Sequence, residues 1–150
     1  MEILALDVGA ARVGVARGST SARLAEPLKT ITADEALSKL TELIGQTRAE
    51  AIVVGLPRNL SGEDTNQTSW VRSWVMHAQS KINLPFYWQD EALTSHKAES
   101  HAYRQAGLKP KAKQSGDVDS MAAAIILQDF LDSPEDQWVM CYPSGERWTS

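Results

Sequence analysis

The chain is poor in several things that would otherwise decide its class. It has one cysteine in 150 residues, Cys141, so no internal disulfide can form and no CxxC pair is available for a thiolate metal site. No apolar run reaches the roughly 20 residues needed to cross a bilayer as a helix. Positive charge is not in excess: 15 Lys and Arg stand against 19 Asp and Glu, for a formal net charge of -4. That balance argues against non-specific coating of nucleic acid, but not against a nucleic-acid enzyme, which needs only a local basic patch. The first residues enter an apolar strand at once and lack the basic-then-apolar pattern of a secretion signal. There is no internal repeat and no low-complexity tract. The expectation is a reduced, cytoplasmic protein without a membrane role. What is present is an ordinary globular composition, 43% hydrophobic and 23% charged. A chain of this length buries about 70% of its unfolded surface in one domain.

Residues 2–8 are nearly continuously apolar, as in a strand covered on both faces. After the turn Gly9-Ala10-Ala11-Arg12, Val13-Gly14-Val15-Ala16 resumes as a strand, and so short a link implies an antiparallel hairpin. Leu24 to Ile31 reads as a third strand. Thr32 and Glu35 match a capping box, and Ala33, Ala36, Leu37, Leu40, Leu43 and Ile44 follow at helical spacing. Residues 51–55 form a short buried strand, followed by the loop 56–62. A second helix carries Trp70, Val71, Trp74, Val75, Ala78 and Ile82 on one stripe. The Trp70 and Trp74 pair is expected in the core rather than as a base-stacking platform. Residues 84–90 are a fifth strand, His96 to Ala106 a helix stopped by Gly107, and residues 109–116 a basic loop. The last helix runs from about Val118 to Leu131, ahead of Pro134. The order predicts an α/β fold: a mixed five-stranded sheet, three antiparallel strands then parallel ones, with helices on both faces. Residues 1–133 form the domain and 134–150 a tail. The tail's Trp138, Val139, Met140, Tyr142 and Trp148 suit an edge strand, packing on the body or a partner contact equally well.

Three acids stand at costly places. Asp7 ends the first apolar strand, Glu91 follows the fifth, and Asp119 opens the very apolar last helix. A carboxylate beside a core loses hydration, which costs several kcal/mol unless something compensates. Each acid has a structural explanation: a turn residue for Asp7, a helix N-cap for Asp119, helix-dipole complements for Asp90 and Glu91. A shared explanation is that they converge and hold a divalent cation, because hard cations take oxygen ligands. Ala122, Ala123 and Ile126 would let the last helix approach the sheet closely enough to set Asp119 over Asp7.

Four segments in order carry a family resemblance. Leu6-Asp7-Val8-Gly9-Ala10-Ala11-Arg12-Val13-Gly14-Val15-Ala16 is similar to the DxGxxRIGVA opening of the YqgF (RuvX-like) proteins. Val53 to Gly62 resembles their VVGLPxNxxG loop, Asp90 to Ser95 their DERLST segment, and Val118 to Gln128 their VDSxAAxxILQ helix. The resemblance runs from residue 3 to about 131. It implies an RNase H-like fold and a nuclease, either processing the 5′ end of pre-16S ribosomal RNA or resolving Holliday junctions. It further implies that Asp7, Glu91 and Asp119 are catalytic and hold Mg²⁺, with Mn²⁺ as a substitute. Two positions depart from the pattern: Ala92 replaces the arginine usual after the glutamate, losing a bidentate phosphate contact, and Asp117 stands near a position that is often basic.

Further candidates for contacting substrate are Arg12 after the first turn, Arg58 and Asn59 in the Pro57 loop, and Lys109, Lys111 and Lys113 in the basic loop. Surface charge or a plain turn explains each as well. His77, His96 and His101 show no metal spacing and are expected at the surface. The partner is structured RNA or branched DNA, and cleavage of branched DNA would call for a homodimer. Two other classes fit the residues: an RNA- or ribosome-binding module of the same fold without turnover, and an actin-like phosphotransferase, which needs a second domain that 150 residues do not hold.

Overall fold

Four strands whose inner residues are nearly all apolar make the centre of the sheet, and their burial decides everything around them. The computed structural model describes residues 1–58, 61–92 and 115–141, with side chains at all of these except 92 and 115–117. Strands β1 (Glu2–Val8), β2 (Arg12–Ser19) and β3 (Ala25–Thr32) are antiparallel neighbours. Strands β4 (Ala51–Arg58) and β5 (Phe86–Ala92) run parallel to β1, and β6 (Val139–Cys141) closes the edge antiparallel to β5. The strand order is β3-β2-β1-β4-β5-β6. The mixed sheet with helices on both faces is as expected, but it has six strands among the described residues rather than five.

The extra strand has a clear cause. Trp138 stacks on Phe130, with ring centroids 4.2 Å apart, and meets Tyr87 edge-on at 5.7 Å. Its indole N–H donates to the Phe130 carbonyl at 3.0 Å. A large ring fixed this way draws the chain beside β5, where Trp88 pairs with Val139 and Phe86 with Cys141. The apolar residues just after Pro134 are thus part of the body. Residues 142–150 lie outside the described residues, as do the expected helix from His96 to Ala106 with its Gly107 stop, and Asn59, Lys109, Lys111 and Lys113.

Two helices, α1 (Ala36–Thr47) and α2 (Asn66–Gln79), cover one face. Leu40, Leu43, Val71 and Val75 pack there on Leu4, Leu6, Val8, Val13, Ile52, Val54 and Phe86. Among the described residues the other face carries α3 (Ser115–Asp132), whose Ala123, Ile126, Leu127, Phe130 and Leu131 pack on Ile3, Ala5, Ala16, Ala51 and Val53. Each fully buried Leu or Ile contributes roughly 1.5–3 kcal/mol.

The helix starts differ from the sequence reading. Thr32 makes no side-chain cap; residues 33–35 form a 3₁₀ turn before α1. The Ala33 N–H donates to the Ala11 carbonyl, which ties this corner to the β1–β2 turn. A capping box does form at α2, where Thr65 Oγ1 accepts from the Thr68 N–H and Thr68 Oγ1 accepts from the Thr65 N–H. Threonine in place of the usual Glu or Gln at the third position hid it in the sequence. Within α2, Val71, Val75 and Ala78 are buried, whereas Trp70 is exposed and Trp74 only half-buried, because the stripe is narrower than the spacing suggested. His77 is exposed, as expected.

Candidate active site

Strand alternation settles which face each acid occupies. Ile3 and Ala5 belong to the core under α3, whereas Leu4, Leu6 and Val8 belong to the opposite core. Successive side chains alternate, so Asp7 continues the α3 side of β1. Because Asp7 pairs with Gly14 inside the β1–β2 ladder, it is a strand residue rather than a turn residue.

Glu91 lies within β5, beside Pro57 of β4. It is two positions on from Gln89 and four from Tyr87, which packs on the α3-side core, so it faces the same way as Asp7. An independent observation agrees: a Cβ at Gly55 would stand 2.8 Å from Glu91 Oε2 and 2.5 Å from Ile126 Cδ1 of α3. The strand extends to Ala92, beyond the boundary expected at residue 90, and this places Glu91 on the sheet rather than in a loop.

Asp119 is reached from the helix side. Since α3 begins at Ser115, Asp119 sits in the second helical turn and is not an N-cap. A Cβ at Gly14 would collide with the main chain of Asp119. Only glycine permits this approach, and Gly14 is also the ladder partner of Asp7. Two glycines thus seat the three acids: Gly14 joins Asp7 to Asp119, and Gly55 makes room for Glu91 against α3. The close approach at these glycines is not visible from sequence patterning; the signal available was the small side chains in the strands facing the Ala-rich helix.

Arg12 opens β2, two residues from Gly14 and on the same face. Its Nε donates to Asp119 Oδ2 at 2.6 Å, with the arginine side chain 47% and the aspartate 22% exposed. Among the described residues, no three His, Cys, Asp or Glu side chains come close enough to hold one ion between them. The three carboxylates share one face and one end of the sheet, and the carboxylate of Asp119 is turned to Arg12. Their oxygens are the hard donors that Mg²⁺ or Mn²⁺ takes, and the two glycine cradles hold the elements carrying them in close register, so the residue set fits such an ion.

Arg58 stands elsewhere. It falls on the α2 side of the sheet, where Nε is 3.0 Å from Asp90 Oδ1 and 3.8 Å from Asp64 Oδ1. Asp64 also pairs with Arg72 at 3.3 Å, and the Arg72 guanidinium lies 5.7 Å from the centre of the Trp88 ring. A cleft of about 880 Å³ at this edge is lined by Arg58, Asp64, Arg72, Trp88, Asp90 and Met140. Its arginines already face aspartates, so it offers little unbalanced positive charge to a phosphate. Sequence reasoning missed Asp64 and Arg72 because their roles depend on loop closure between β4 and α2. Burial pushes the Cys141 thiol well above its ordinary range, the more so because the opposing influence of Arg72 is smaller. Cys141 is thus a packing residue beneath the sheet edge.

Comparison with known proteins converges on one family. The family model RuvX, described as a Holliday junction resolvase, matches residues 1–133. A candidate pre-16S rRNA nuclease of Chloroflexus aurantiacus is 42% identical over 134 residues, covering 87% of this chain and 86% of that protein. One of the same name from Nitratidesulfovibrio vulgaris is 40% identical over 140 residues, covering 91% and 97%. Among solved structures, the RuvC protein of T. thermophilus in complex with a Holliday junction substrate superposes with a TM-score of 0.56, covering 93% of this chain and 99% of that one. At 16% identity that likeness is one of fold.

Proposed function

The chain belongs to the RuvX family of Holliday junction resolvases, and on that premise we propose that it is a divalent-metal-dependent phosphodiester hydrolase that processes the 5′ end of pre-16S ribosomal RNA. The observation that carries the reading is the placement of Asp7, Glu91 and Asp119 on one face and at one end of the sheet, seated by Gly14 and Gly55. The relatives' names supply the substrate class. Asp7, Glu91 and Asp119 would hold Mg²⁺, which when bound supplies Lewis-acid activation of a phosphodiester and of the attacking water.

The chain's own residues perform the rest. Asp7 is held in the β1–β2 ladder opposite Gly14, one residue beyond the last β1–β4 pair, Leu6 with Val54. Glu91 stands two strands over, on β5, where it can orient a water for attack. Arg12, nearly half exposed at the rim, is available to a phosphate oxygen. Lys109, Lys111 and Lys113 would add backbone contacts along the nucleic acid. Arg58 is a weaker candidate for that role because Asp64 and Asp90 already balance it. With alanine at position 92, one phosphate contact that the family pattern supplies is missing, so turnover should be slower than the pattern implies. Among the described residues no helix is long and apolar enough to cross a membrane.

The test is cleavage of precursor 16S rRNA and, in parallel, of a four-way DNA junction, each with Mg²⁺ and with chelator. The expected outcome is metal-dependent trimming of the RNA, reduced on the order of 10³-fold by Asp7→Asn, the scale of several kcal/mol of lost metal catalysis. Cleavage confined to the junction would move the substrate to branched DNA. Full activity of Asp7→Asn would sink the metal site, and RNA binding without cleavage would make the protein a binding module.

A further inference from the structure

The ion pair between Arg12 and Asp119 bears on how the site loads, and its role there rests on the metal reading of the three acids. The guanidinium Nε is 2.6 Å from Asp119 Oδ2, so one oxygen of a carboxylate assigned to metal binding already faces a cation. A divalent ion brought to Asp119 meets a like charge within a few ångströms, in a crevice partly screened from water, where such repulsion counts for more than in bulk. The two partners are not equally fixed. Asp119 is 22% exposed and rides on a helix whose main chain is pressed against Gly14, whereas Arg12 is 47% exposed at the start of β2. The long, flexible, exposed side chain is the one able to move.

We propose that Arg12 is the resident counter-cation of Asp119, competing with a divalent metal for that carboxylate until a substrate phosphate draws the guanidinium away. Its charge offsets repulsion among the three acids in the resting protein. A phosphate then offers it a bidentate partner, and Asp119 is released to the metal. Loading of metal and of substrate is therefore coupled through one side chain, and each strengthens the other's binding.

The experiment is Mn²⁺ titration of the full chain without substrate, reading free Mn²⁺ by electron paramagnetic resonance. Arg12→Gln should bind Mn²⁺ about fivefold more tightly than wild type, the fold-change equivalent to ~1 kcal/mol for an ion pair of this exposure. Arg12→Lys, which keeps the charge, should stay close to wild type. In an Asp119→Asn background, Arg12→Gln should change nothing, which separates the specific pair from a general loss of positive charge. Equal or weaker binding by Arg12→Gln overturns the proposal, as does a gain that persists in the Asp119→Asn background. A wild-type chain that takes up no Mn²⁺ at all overturns the metal reading together with it.

Discussion

The two faces of the sheet solve opposite problems. Under α1 and α2 the strands present Leu4, Leu6, Val8, Ile52, Val54 and Phe86, large side chains that fill a thick apolar layer. Under α3 they present the small Ala5, Gly14, Ala16, Ala51 and Gly55 beside Ile3 and Val53, and α3 comes close to the backbone at Gly14 and Gly55. The first face stores stability. The second gives up volume at Gly14 and Gly55 to bring the helix near the strands, and Asp7, Glu91 and Asp119 lie on that face toward one end of the sheet. The general lesson is that a costly set of carboxylates is assembled by small residues around it as much as by the acids themselves.

This contrast can be broken from either side. Leu4→Ala, on the thick face, should have the largest effect on stability, lowering it by about 2–5 kcal/mol in urea unfolding. Cleavage per folded molecule should hardly change; a matching loss of activity would mean that the two faces are not separable. Gly14→Ala should cost less, about 1–3 kcal/mol, because a Cβ there forces α3 to shift from the Asp119 main chain. Its cleavage per folded molecule should nevertheless fall on the order of 10²-fold, the response to a displacement of about an ångström. If that variant unfolds more readily but still cleaves normally, the close approach is structural only. Thr65→Ala should be the mildest, removing the α2 capping box at a cost of about 1 kcal/mol and leaving cleavage intact. A strong activity loss there would show that the β4–α2 connection reaches the site.

Much of the fold, and the candidate site, was legible from residue order alone. The continuous apolar strands, the hairpin start and the apolar last helix set the layers, and the four motifs in sequence pointed to Asp7, Glu91 and Asp119. Other features were not legible, for identifiable reasons. The Thr32–Glu35 pattern is a valid capping signal locally, but residues 33–35 form a 3₁₀ turn and Thr32 makes no side-chain cap. Trp138 reads as an odd aromatic in a tail until Phe130 and Tyr87 are brought beside it. Arg58 reads as a phosphate contact in its loop, yet Asp64 and Asp90, six and thirty-two positions on, are folded onto it.

The sequence by itself determined the alternation of elements and the depth of burial of the strands, since these follow from local periodicity, and its motifs singled out the three acids as candidates. Only the tertiary structure decided that Gly14 and Gly55 seat those acids, that Arg12 closes on Asp119 across 107 positions of chain, and that β6 completes the sheet. Each of these is a contact between distant segments. Its free energy depends on which surfaces the fold brings within a few ångströms, and no local pattern encodes that distance.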